Sequence, residues 1–448
     1  MTGSCIGGRW HVLSVRPKPG ATYAMIRHQG YTFRLRGLSA DQRQAFTQQA
    51  GQCRWLWNEF VAFELARHKA GQKIGGLKWR GRVLTILRSL PDQQWLAEGS
   101  SAAQQRVLRN LGAAWQRYWD DRKLPKSERR GIEPPNFKKK GNRDCFGWSG
   151  QQHVELDQTR NRVKLPKIGW VRYRNSRRVE GIVMNATVRR VGRKWDISFG
   201  TEREVVEPQP RHHVRPLGLD LGIKHLATRS DGEHVAGPRA QRAAAKAKAK
   251  AQRIAARRVK GSTQRKRQLW KVAKIDRRTA NIRRNDLHKL TTDLAKNHGF
   301  VGVEALRVKA MSGSAKGTVA KPGKNVAAKR GLNREILDQG WGEMRRQLAY
   351  KLGWSGGVLI AVDPRNTSRR CSACGHTSRD NRTSQAGFAC VACGHAINAD
   401  VNAAKNILAA AMAAMAAGHV AENAGGGDGA CPALEPSSLA LRARIPVP

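Results

Sequence analysis

Eight cysteines occur in the chain, and four of them are spaced for chemistry. Cys371 and Cys374 form one Cys-x-x-Cys knuckle, and after fifteen intervening residues Cys390 and Cys393 form a second. Glycine follows each knuckle, at Gly375 and Gly394, where the backbone must turn tightly around a thiolate. Four soft ligands at this spacing suit a closed tetrahedral Zn²⁺ site, and the spacing argues against a coincidental cluster. Such a site has no open position for water, so the ion is expected to be structural. His376 and His395 lie beside the knuckles and are not needed as ligands. Cys5, Cys53, Cys145 and Cys431 are scattered, which fits one metal site in a reducing, cytoplasmic compartment better than a disulfide framework.

A second set of candidates consists of isolated acids. Asp220 sits in "GLDLGIKHLA" between Leu219 and Leu221, Glu304 ends the apolar run "GFVGVEAL", and Asp400 follows the second knuckle at the start of a helical pattern. A carboxylate in or at the end of a buried strand needs a cation, a proton or a hydrogen-bond donor. Brought together, three carboxylates make a site for a hard divalent ion, Mg²⁺ or Mn²⁺. Two such ions can activate a water and stabilise the leaving oxygen of a phosphodiester. Taken singly, each acid has a plainer reading: Asp220 as a strand-turn residue, Glu304 as a helix-start acid, Asp400 as an N-cap.

The charge balance narrows the partners. Lys and Arg number 83 against 33 Asp and Glu, a formal net charge of +50 over 448 residues. Self-repulsion makes that costly unless a polyanion neutralises it, and nucleic acid is the natural one. A membrane is not expected: "ILAAAMAAMAAG" is too short to span a bilayer, and the first twenty residues lack the apolar core of a signal peptide.

Several elements must position these groups. "GYTFRLRGL" alternates, with Tyr31, Phe33 and Leu35 on one face, and predicts a half-buried strand. Ser39 is placed to cap a helix whose Phe46, Ala50, Cys53, Trp57 and Phe60 form one stripe, ending near Gly71. Helical pattern continues to about 125, with Trp55, Trp57 and Trp115 read as core. Short strands follow from about 145 to 205, and their order suggests one β-barrel interrupted by the helical block. After the linker "EPQPRHHVRP" comes a strand, a turn at Asp231-Gly232 and a return strand. From Arg239 to Lys289 the chain carries 19 Lys and Arg against two acids, on long helix with one packed face. Two apolar strands, "GFVGVEAL" and "GVLIAVDP", alternate with helix, "VKAMSGSAKGTVAKPGKNVAAKRG" reads as a mobile loop, and the tail after Gly418 reads as disordered. The second half is therefore α/β with a mixed sheet.

The order of "GLDLGIKHLA", "VGVEAL", "DPRNTSRRCSACGH" and "FACVACGHAINADVNAAKNI" resembles the transposon-encoded TnpB proteins and the compact type V CRISPR effectors. The resemblance is close from Leu217 to about Leu408 and looser from Tyr31 to about Ser149. It implies a multidomain α+β and α/β chain. An N-terminal extension and first wedge strand would occupy 1–38, a helical recognition lobe 39–140 and the wedge β-barrel 141–210. A RuvC-like nuclease of RNase H type would occupy 211–364 and 397–418, with the zinc ribbon inserted over 365–396 and a disordered tail over 419–448. Asp220, Glu304 and Asp400 match the family's nuclease acids, and Cys371, Cys374, Cys390 and Cys393 its ribbon ligands. The implied partners are a guide RNA and target DNA, double- and single-stranded, with the basic 239–289 helices lining the channel for the paired strands. The implied activity is RNA-guided, metal-dependent DNA cleavage beside a short recognition motif. The alternative is an RNA-guided binder that cleaves weakly or not at all. Asn398 stands where the family often has an acid, and is expected to matter little for metal binding. Nothing in the pattern indicates a homo-oligomer.

Overall fold

Strand β1 (Ala24–Arg36) carries the alternation read from the sequence: Tyr31, Phe33 and Leu35 are all buried. The computed structural model describes residues 24–141 and 144–418; Cys5, Cys431, the N-terminal segment and the tail lie outside these. The chain divides into two compact units between Glu207 and Pro208.

In the first unit β1 is followed by helices α1 (Ala40–Lys69), α2 (Leu77–Ser89), the single turn α3 (Trp95–Glu98) and α4 (Ser101–Lys123). Ser39 closes a capping box with Gln42: the Gln42 amide donates to Ser39 Oγ at 3.1 Å, and the Ser39 amide to Gln42 Oε1 at 3.2 Å. The predicted stripe on α1 is buried throughout, as are Trp57 and Trp115, while Trp55 packs partly buried against the same core. Then come β2 (Cys145–Ser149), β3 (Glu155–Asp157), β4 (Arg162–Leu165), β5 (Gly169–Tyr173), β6 (Ile182–Val191) and β7 (Lys194–Val206). They join β1 in one seven-stranded antiparallel sheet of order β2-β6-β7-β1-β5-β4-β3. Because β1 lies inside that sheet, the helices are an insertion between it and its strand partners. The buried guanidinium of Arg106 on α4 anchors the insertion by donating to the carbonyls of Trp148 (2.6 Å) and Ala186 (2.8 Å).

The second unit holds a five-stranded sheet of order β10-β9-β8-β11-β12. Its strands are β8 (Leu217–Asp220), β9 (Ala227–Arg229), β10 (His234–Val235), β11 (Phe300–Glu304) and β12 (Val358–Val362). The Asp231-Gly232 turn joins β9 to β10, so β8 is a separate strand that stops at Asp220. β11 runs parallel to both β8 and β12, which accounts for its unbroken apolar sequence: all five of its residues are buried. Between the first three strands and β11 the basic region forms α5 (Ala240–Ala256) and α6 (Thr263–Asn297), two helices in contact and broken near Gly261 rather than one. The buried small side chains Ala251 and Ala255 let them approach, and Lys248 pairs with Asp276 at 2.6 Å. The segment read as a mobile loop carries the single turn α7 (Val308–Met311) and a β-bridge between Gly317 and Pro322. Helices α8 (Val326–Gln339) and α9 (Trp341–Trp354) follow, and after β12 the chain enters the cysteine segment, with its hairpin β13 (Gly387–Ala389) and β14 (Ala396–Asn398). The last helix, α10 (Ala399–Ala416), returns to pack on β8, β11 and β12.

Candidate functional site

The register of the sheet decides where two of the acids go. Gly218 on β8 pairs with Gly302 on β11, and Leu219 with Val303. Side chains two apart on a strand share a face, so Gly218 and Asp220 lie on one side of the sheet with Gly302 and Glu304. That side is the one covered by α10. A Cβ on Gly218 would stand 2.1 Å from the carbonyl oxygen of Ala404, and one on Gly302 would stand 2.8 Å from Cβ of Ala411. The helix rests directly on a glycine pair. Asp400 lies one turn before Ala404 on the same helix face, so it projects over the strand ends where Asp220 and Glu304 sit.

The electrostatics agree with this convergence. The Asp220 carboxyl is pushed up to about 7, first by burial, then by the charges of Glu304 and Asp400, with Arg382 working the other way. Burial also raises Glu304, which is 8% exposed, against a hydrogen bond donated to its Oε1 by Thr367 Oγ1 at 2.7 Å. Arg382 Nη2 stands 3.7 Å from Asp400 Oδ1. Asp220 thus feels both other carboxylates, with one partly exposed guanidinium nearby; the three sets of carboxylate oxygens do not form a tight cluster like the four sulfurs, and a divalent cation would have to draw them together.

Asn398 is the N-cap of α10: its side chain accepts from the amides of Asp400 (3.0 Å) and Val401 (3.2 Å). Asp400 is therefore inside the first turn and is not the cap itself, which leaves its carboxylate free to face the sheet.

The four cysteines converge as their spacing predicts. Their sulfurs lie within 4.8 Å of one another, with Cys371 to Cys393 at 3.7 Å and Cys374 to Cys390 at 3.6 Å. Four thiolates about 2.3 Å from one ion at tetrahedral angles would stand about 3.8 Å apart, so the cluster fits such an ion. The two knuckles repeat one geometry. The Cys371 amide donates to the carbonyl of His376 and the Cys390 amide to that of His395, each at 2.9 Å. Gly375 (φ +78°) and Gly394 (φ +71°) take the left-handed turn that an L side chain resists.

Polar residues that sequence reasoning did not single out connect this cluster to the acids. Asn402 donates to the carbonyl of Arg370 (2.7 Å) and accepts from the Ser372 amide (2.9 Å). Asn406 donates to the carbonyls of Thr367 (2.8 Å) and Arg370 (2.6 Å). Within the ribbon the fully buried Asn381 donates to the carbonyls of Arg369 and His376 and accepts from the Val391 amide, placing Arg382 beside it. The detectable signal was two asparagines four apart in an otherwise alanine-rich helix, where a buried amide demands partners.

The chain matches two family models: "Probable transposase" over residues 198–315 and "Cas12f1-like, TNB domain" over residues 341–407. InsQ of Escherichia coli K12, a protein named for RNA-guided DNA endonuclease activity, is 43% identical over 403 residues, covering 89% of this chain and 96% of InsQ. The CRISPR-associated endodeoxyribonuclease Cas12f1 of Sulfoacidibacillus thermotolerans is 46% identical over 65 residues, 14% of this chain and 15% of that protein. Among solved structures, the cryo-EM structure of a Cas12f1-sgRNA-target DNA complex superposes with a TM-score of 0.52 at 13% identity, over 86% of this chain and 99% of that one. That likeness is one of fold. Among the described residues no helix is long and apolar enough to cross a membrane.

Proposed function

This chain belongs to the TnpB family of RNA-guided DNA endonucleases that includes InsQ, and on that premise we propose that it binds a guide RNA and cuts DNA complementary to it, beside a short recognition motif. The carrying observation is the convergence of Asp220, Glu304 and Asp400 on one side of the β8–β11 pair, where burial and mutual repulsion hold Asp220 up to about 7. The match to the "Probable transposase" model over residues 198–315, against only a short stretch in common with the CRISPR-associated protein, favours the transposon-associated form of the activity.

In this reading the five-stranded unit is the RuvC-like nuclease and the seven-stranded sheet with its helical insertion is the wedge with its recognition lobe. Asp220 and Asp400 would be the main ligands of a Mg²⁺ or Mn²⁺ ion, with Glu304 completing the set and orienting the attacking water. Such an ion would supply Lewis-acid activation of that water and of the leaving oxygen. Arg382 faces the acids from the ribbon and offers a positive charge to an incoming phosphate. The four thiolates would hold a structural Zn²⁺ that takes no part in the chemistry and would keep the ribbon closed, while Asn402 and Asn406 tie it to α10. The basic surfaces of α5 and α6 bind the phosphates of the guide–target duplex without reading bases. A single cleavage site implies that the two target strands are cut in turn, in the cytoplasm where the DNA lies.

The test is plasmid cleavage by the purified protein with its co-purifying RNA, sequenced to define the guide. Asp220→Ala should abolish Mg²⁺-dependent cleavage and leave RNA and target binding intact. Full cleavage by that variant would remove Asp220 from the mechanism, and target binding without cleavage by the wild type would favour an RNA-guided binder.

A further inference from the structure

Thr367 lies in the strap between β12 and the first knuckle, and it is 8% exposed. Its hydroxyl donates to Glu304 Oε1 at 2.7 Å, with the carbonyl of Pro364 as a second acceptor at 3.1 Å. One hydroxyl has one proton, and the shorter bond goes to the carboxylate. The backbone of the same residue is held as well. Its carbonyl accepts from Asn406 Nδ2 at 2.8 Å, and Asn406 lies on the helix that begins at Asp400. The strand end is tied in turn, since the Ala305 amide donates to the carbonyl of Val362 at 2.8 Å.

We propose that Thr367 is a positioning residue for the nuclease site, its hydroxyl fixing the Glu304 carboxylate while its carbonyl registers it to the helix that carries Asp400. This rests on the reading of the three acids as metal ligands. A glutamate side chain has three rotatable bonds, and burial alone does not choose among their settings. The bond from Thr367 chooses one. It occupies one lone pair of Oε1 and leaves Oε2, with the other lone pair of Oε1, for a cation. Because Thr367 is pinned to α10 through Asn406, the oxygens of Glu304 and Asp400 are set by one short chain of contacts: carboxylate, hydroxyl, carbonyl, amide, helix. The strap leads directly into Cys371, so this chain of contacts also joins the metal-thiolate ribbon to the acids. Partners that orient a ligand in this way are worth about 10- to 100-fold in metal affinity or activity.

The test compares wild type with Thr367→Val, which keeps the shape and loses the donor, and Thr367→Ser, which keeps the donor. Each is purified as the full chain with its RNA. Mn²⁺ binding is read from the electron paramagnetic resonance signal of the free ion, and cleavage is measured against Mg²⁺ concentration. Expected for Thr367→Val is a loss of about tenfold or more in Mn²⁺ affinity and a matching rise in the Mg²⁺ midpoint, with zinc content, melting temperature and RNA binding unchanged. Thr367→Ser should return both midpoints to near wild type. Unchanged Mn²⁺ affinity in Thr367→Val overturns the proposal, and so does a loss of zinc or of folding that Thr367→Ser does not restore. Asp220→Asn is the control that separates the two readings. If wild type binds no Mn²⁺ that this variant loses, the acids are not metal ligands and both readings fall. If it does and Thr367→Val matches wild type, only the positioning role falls.

Discussion

Replacing Asp220 by Asn should stabilise the metal-free protein at pH 8, and the gain should shrink in acid. The carboxyl titrates near 7 in the fold against an ordinary 3.8, chiefly because it is buried. Its folded-state value is raised, so the folded form binds the proton more tightly than the unfolded one. Ionising it therefore disfavours folding as pH rises from about 4 to about 7. A shift of about 3 units corresponds to about 4 kcal/mol at pH 8. Asp220 keeps partial contact with water, and screening takes this down to about 2 kcal/mol. At pH 5 only the interval from 3.8 to 5 contributes, which after the same reduction is about 0.8 kcal/mol. The unit that holds the site spans Pro208–Asp428, a size for which 1 kcal/mol moves the melting temperature by about 2–4 °C. Asp220→Asn should thus melt about 4–8 °C higher at pH 8 and only about 2–3 °C higher at pH 5, by differential scanning calorimetry in buffer stripped of free divalent ions. Adding Mg²⁺ at pH 8 should raise wild type toward the variant and leave the variant unmoved. An equal melting temperature at pH 8, or a gain as large at pH 5, would refute the placement of Asp220 as a buried acid beside Glu304 and Asp400.

Cys390→Ser with Cys393→Ser should release the bound zinc, read by elemental analysis, and lower cleavage by at least about tenfold, because the strap and Arg382 lose their support. Unchanged cleavage would detach the ribbon from the acids. Gly218→Ala should destabilise by about 3 kcal/mol, since its Cβ meets the backbone carbonyl of Ala404, which has no easy retreat. Gly30→Ala is the control in the same chain: a Cβ there meets nothing within 4 Å, and thermal melting should show it neutral or slightly stabilising. Equal losses at the two positions would mean that α10 does not rest on the glycine pair.

The local features were the legible ones. The N-cap at Ser39, the alternation of Tyr31, Phe33 and Leu35, and the cysteine knuckles all lie within a few residues of chain, so spacing alone implied their geometry. The break between α5 and α6 was hidden because the lysine- and arginine-rich pattern runs on through Gly261 without changing composition. The separate end of β8 was hidden because "GLDLGIKHLATRS" is apolar on both sides of Asp220.

The candidate site divides the same way. The sequence alone marked Asp220, Glu304 and Asp400 as acids out of place in apolar runs, and it determined the sulfur cluster and the excess of positive charge. It did not bring the acids together, because they are 84 and 96 residues apart along the chain. Parallel pairing of β8 with β11, and a helix able to sit on Gly218 and Gly302, did that. Thr367, Asn402, Asn406 and Arg382 acquire meaning only there, since a hydrogen bond or ion pair between distant segments leaves no period in the sequence. Thiolate spacing is a property of a short loop, whereas the distance between carboxylates is a property of packing.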